Sequence, residues 1–70
     1  MVTENERRGQ ELRKRRMAVG MSHGELALAA GLDVSTIWKL EAGGGGRIDS
    51  LAKIEKALEK AEAEKVKRGD

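Results

Sequence analysis

The sequence predicts an all-α fold of four helices, and three observations predict it. Apolar residues recur three and four places apart, most clearly at Ile48, Leu51, Ile54, Leu58 and Ala61, the spacing of a helix with one buried face. The pattern Ser/Thr-x-x-Glu occurs at Thr3–Glu6 and again at Ser22–Glu25, each a capping box that can satisfy free N–H groups at a helix start. There is no proline and no convincing strand pattern. Seventy residues support a single domain, 1–70, which would bury only about 60% of its unfolded surface. With no cysteine, stability must come from helix packing or self-association instead of disulfides. That composition fits a reducing, cytoplasmic compartment.

The first helix is expected over about residues 4–19, capped by Thr3 and ended by Gly20, with Gly9 weakening it. Its inward side is thin: Leu12, the alkyl stem of Arg16 and Val19, flanked by Met17 or Ala18. Ser22 caps a second helix over about 23–30, with Leu26, Ala27 and Ala30 inward. Gly31 suits the left-handed residue that closes it. Asp33 is a suitable N-cap for a third helix over 34–42, where Ile37 and Leu40 face the core. Gly43 to Gly46 cannot continue that helix and read as a flexible loop. A fourth helix over 48–66 carries the stripe from Ile48 to Ala61 and runs into EKAEAEKVKR, a charge-mixed tail that can extend it or fray.

The formal net charge is only +2, but it is unevenly spread. Arg7, Arg8, Arg13, Lys14, Arg15 and Arg16 all fall within the first sixteen residues, against Glu4, Glu6 and Glu11. Such a basic third suits an anionic partner such as nucleic acid, although a solvated helix face has the same composition. No apolar run approaches the roughly 18 residues of a membrane span, and MVTENERRGQ lacks the apolar centre of a signal peptide, so no membrane role is expected. A single histidine and no cysteine leave no nucleophile–base pair and no metal set, and HGEL is not the zinc motif HExxH. The glycine run lacks the GK[ST] ending of a phosphate loop and follows a helix instead of a strand. No enzyme activity, metal or cofactor is expected.

Two short helices joined by three residues that include a glycine, with a longer helix before and another after, describe a helix-turn-helix domain. The segment LRKRRMAVGMSHGELALAAGLDVSTIWKLEAG resembles the phage repressor and Cro group of helix-turn-helix proteins, the XRE type, whose fold is lambda-repressor-like. The likeness rests on Leu12, Arg16, Gly20, Ser22, Glu25, Leu26, Ala27, Gly31, Ser35, Ile37, Glu41 and Gly43, with RIDSLAKIEKAL matching the fourth helix. It covers residues 8 to 58.

The resemblance implies duplex DNA as partner, read by the third helix in the major groove, with Val34, Ser35, Trp38 and Lys39 facing the bases. Helical geometry places the same four residues opposite Ile37 and Leu40. Lys39 can donate to guanine O6 and N7 or to a phosphate, Ser35 to a base or phosphate, and Val34 can meet a thymine methyl group. Trp38, the only aromatic residue, can pack on sugar or thymine methyl groups, or on a protein. Phosphate contacts are expected from Ser22, His23, Thr36, the backbone of Gly43, Arg47 and Arg13. The resemblance also implies an ion pair between Arg16 and Glu41 that braces the first helix against the third.

A sequence-specific transcriptional regulator, a repressor acting as a homodimer on half-sites about 34 Å apart, is the function this implies. The chain departs from the family at Gly24, inside the second helix, and at Gly43 to Gly46. Arg47 is a poor cap for the fourth helix, and charged residues stand where many members have a fifth helix. The rival reading is an antitoxin-like or other protein-binding module that uses the C-terminal helix.

Overall fold

The computed structural model describes residues 2–45 and 48–67, and the side chains of Val66 and Lys67 are outside that description. Among the described residues the chain is all-helical, with α1 Glu4–Ala18, α2 His23–Ala30, α3 Val34–Glu41 and α4 Ile48–Lys67. Both capping boxes form. Thr3 accepts from Glu6 N–H at 3.1 Å while Glu6 accepts from Thr3 N–H at 2.8 Å, and Ser22 and Glu25 exchange the same two bonds at 3.1 and 2.8 Å. Asp33 has the extended backbone of an N-cap (φ −73°, ψ 148°), but its side chain makes no capping bond. Its carbonyl instead receives Thr36 N–H at 3.0 Å.

The C-terminal ends of α1, α2 and α3 share one device. After α3, Gly43 takes φ +87°, its N–H reaches Leu40 O at 3.1 Å, and Gly44 N–H reaches Lys39 O at 2.9 Å. This is the Schellman arrangement, which satisfies the last carbonyls and needs a residue free of the left-handed penalty. Gly20 and Gly31 close α1 and α2 with equivalent bonds, Gly20 N–H to Met17 O and Gly31 N–H to Leu28 O.

The core draws on all four helices: Leu12 from α1, Leu26, Ala27 and Ala30 from α2, Ile37 and Leu40 from α3, and Ile54, Ala57 and Leu58 from α4. Val19, Met21, Leu32 and Leu51 close its edges. Three expectations need correction. Ile48 is 83% exposed, because at about 100° per residue it lies roughly 120° round α4 from the buried Ile54. Ala57, absent from the expected stripe, takes a core place. Met17 and Ala18 do not flank the core but are exposed, since Val19 and Met21 already fill that edge.

Gly9 is a further correction. It is buried, and a Cβ there would stand 2.4 Å from Leu40 O and 2.6 Å from Glu41 O. Whatever helix propensity Gly9 loses, its missing side chain lets α1 and α3 touch backbone to backbone. The glycines after α3 act similarly. Cβ atoms on Gly43, Gly44 and Gly45 would come within 2.6 Å of Glu6, 2.7 Å of Lys39 and 2.9 Å of Asn5. The described part of the loop is therefore packed on the first turn of α1 and on Lys39, where a loose linker was expected.

Candidate nucleic-acid interface

Residues 31–33 join α2 to α3, and the register of α3 follows from its two buried residues, Ile37 at 1% and Leu40 at 5% exposure. The opposite side carries Val34, Ser35, Trp38 and Lys39, all exposed. Residues four apart on a helix are neighbours, so this face divides into an apolar stripe, Val34 and Trp38, and a polar stripe, Ser35 and Lys39. The stem of Lys39 lies against Gly44.

Behind this face, a polar chain crosses three helices. Arg16 Nε on α1 donates to Glu41 Oε2 at the end of α3 at 2.7 Å, and Arg16 Nη2 to Glu41 Oε1 at 3.3 Å. Arg16 Nη1 donates to Met21 O at 2.8 Å, in the turn before α2. Both side chains are sequestered, at 8% and 7% exposure. Glu41 Oε1 also receives His23 Nε2, at the start of α2, at 3.1 Å. The His23 ring in turn stacks on Trp38, with ring centroids 4.4 Å apart and planes 19° from parallel. No buried side-chain nitrogen or oxygen among the described residues lacks a partner, so burial of this charge pair leaves no donor or acceptor orphaned.

The other expected contact residues are scattered in their roles. Ser22 is exposed, with its hydroxyl accepting the Glu25 N–H. The Ser22 backbone N–H in turn holds the Glu25 carboxyl below its ordinary range. His23, expected to point at a phosphate, is turned into the domain, because Glu41 and the Trp38 indole offer its ring a hydrogen bond and a stacking face. The Gly43 N–H, also expected as a phosphate donor, is already given to Leu40 O. Thr36 is half-buried. Arg13 is exposed and lines an open depression together with His23, Trp38, Glu41 and Ala42. Arg47 lies outside the described residues.

The basic run of α1 separates in space. Arg16 belongs to the brace, and Arg15 is tied to α4 through Glu62, Nε to Oε2 and Nη2 to Oε1 both at 2.9 Å. Arg13 and Lys14 stay exposed. Further along α4, Lys65 Nζ donates to Ala18 O at the C-terminal end of α1 at 2.7 Å.

A family profile described as a helix-turn-helix domain matches residues 9–68, which takes in α2, the turn, α3 and the helices that hold them. The chain belongs to the helix-turn-helix domain family. Such domains are typically DNA-binding and non-enzymatic. A search of curated proteins finds no match. Among the described residues no helix is long and apolar enough to cross a membrane, and no cluster of three metal-ligating side chains occurs.

What sequence reasoning missed at this helix-turn-helix site is the company each residue keeps. The stack of His23 on Trp38 joins residues fifteen apart, and the only signal for it was the family register that sets the start of α2 beside the middle of α3. Gly9 carries a signal of its own, since a glycine inside a capped helix marks a close approach as readily as a weak point.

Proposed function

We propose that this helix-turn-helix protein is a sequence-specific regulator of transcription, a repressor of the phage repressor and Cro type, that reads duplex DNA as a homodimer. Helix α3 enters the major groove, and the ends of α1 and α2 meet the flanking backbone. The observation that carries this reading is the division of α3: Ile37 and Leu40 are buried, while Val34, Ser35, Trp38 and Lys39 face outward on a helix braced by Arg16 and Glu41. A reading helix must present unpaired side chains from a rigid base. Lys39 is the cation for guanine or phosphate on this face, and Arg13 the cation at its edge.

Selection from a random duplex library, followed by a salt series on the winner, tests the proposal. A palindromic site whose affinity falls steeply with salt is expected, since each phosphate contact releases counterions. No enrichment would overturn the reading. Lys39→Ala should lower affinity or relax base preference by about 1–3 kcal/mol without loss of fold. The protein-binding alternative would use α4, of which Glu62 is bonded to Arg15 and Lys65 to Ala18 O of its own domain.

A further inference from the structure

The apolar half of the α3 face calls for a ligand of its own. Val34 is 44% exposed and Trp38 60% exposed, one turn apart, on a chain with no other aromatic residue. The indole is nonetheless held in place. It stacks on His23, His23 donates to Glu41, and Glu41 is gripped by Arg16 from α1. A large side chain held before it meets a partner loses little rotamer freedom on binding, so its contact area converts efficiently into affinity.

In the major groove the apolar feature presented by a base is the C5-methyl group of thymine. We propose that Val34 and Trp38 form a preorganised reader of thymine methyl groups, and that His23 is the positioning residue that holds Trp38 in its reading orientation. This rests on the DNA-binding reading above. Ser35 and Lys39 lie along the same face, so the thymine stands beside a base or phosphate within their reach. Arg13 lines the same open depression as the indole and is the cation available to the adjoining phosphates. The half-site therefore contains at least one thymine whose methyl group matters more than its hydrogen-bonding edge.

The test uses the full chain and the duplex it selects, with each thymine replaced in turn by deoxyuridine. That exchange removes the methyl group and keeps every hydrogen-bonding atom. The parent should lose about fourfold in affinity per methyl group read, the effect of one buried methyl-sized group, at one or two positions of each half-site. Trp38→Ala and Val34→Ala should bind thymine and uracil duplexes alike at those positions, with an unchanged salt slope. His23→Gln keeps a donor for Glu41 but removes the stacking face. It should lose thymine sensitivity at the Trp38 position, keep the parent's thermal midpoint, and change the emission and anisotropy of the sole tryptophan.

His23→Phe, which restores a ring, should recover the discrimination. Equal parent binding to every uracil duplex overturns the thymine reading while leaving DNA binding intact, whereas failure to select any duplex overturns both. Full thymine sensitivity in His23→Gln removes the positioning role. A change of oligomeric state in Trp38→Ala, with uracil tolerated throughout, would place the stripe between two copies of the chain and overturn the proposal.

Discussion

Arg15 and Arg16 are adjacent in sequence, identical in chemistry and each bonded through two nitrogens to a glutamate, yet they sit in different worlds. Arg16 and Glu41 are almost fully removed from solvent, at 8% and 7% exposure, whereas Arg15 and Glu62 remain at 27% and 39%. The buried pair closes the junction between α1 and α3, where Gly9 brings the two backbones together. The exposed pair fastens the tail of α4 to the same helix. Successive residues of a helix point about 100° apart, so one arginine meets α3 and the next meets α4. Identical ion pairs differ in consequence because a buried charge that loses its partner stays desolvated, and an exposed one is simply hydrated.

Breaking the buried side should give the largest effect. Glu41→Ala leaves the Arg16 guanidinium buried and removes the partner of His23, at a cost of about 3–5 kcal/mol. That is comparable with the whole stability of about 4–10 kcal/mol expected for a chain this short. Thermal unfolding should show the variant largely unfolded or with a sharply lowered midpoint, and a midpoint equal to the parent's would sink the brace. Gly9→Ala attacks the same junction without touching a charge. Its Cβ meets carbonyl oxygens of α3 that cannot swing aside, so a loss of about 1–3 kcal/mol is expected in spite of the gain in helix propensity. A variant more stable than the parent would show that the two helices are not in close contact.

Glu62→Ala probes the exposed side and should lower stability by no more than about 1 kcal/mol, less at high salt. A loss as large as that of Glu41→Ala would erase the contrast. The smallest effect is in its acid dependence. The hydrogen bond from Arg15 holds the Glu62 carboxyl below its ordinary value of 4.5. A group depressed in the folded state contributes stability that is fully present above its unfolded pKa and is lost as pH falls through the folded one. The difference in midpoint between parent and Glu62→Gln should therefore be constant near neutrality and shrink only in acid below 4.5. A difference that persists there would assign the effect of Glu62 to something other than its charge.

Parts of this fold were legible in the sequence because the signals are local. Thr3–Glu6 and Ser22–Glu25 announce helix starts, since each box closes within a single turn. Ile37 and Leu40 set the register of α3, and with it the outward position of Val34, Ser35, Trp38 and Lys39. Ile48 misled for an equally local reason: its spacing of three from Leu51 looked periodic, but three residues fall short of a full turn, and two such steps from Ile54 carry it off the buried face. The surroundings of His23 were not legible, because the sequence showed only a helix N-terminus that suits a phosphate, while the groups that engage its ring, Glu41 and Trp38, come from another helix.

The sequence by itself determined an all-helical chain, where most helices begin and end, and which side of α3 is apolar toward the core, because those properties depend on residues within one turn of each other. Only the tertiary structure decided the rest. It turned Gly9 from a weak point into a contact, packed three glycines of the loop against α1 and Lys39, and separated Arg15 from Arg16. It also linked Trp38 through His23 and Glu41 to Arg16. Each of these joins residues distant in the chain, whose distances are set by how the helices pack and by no rule of local spacing.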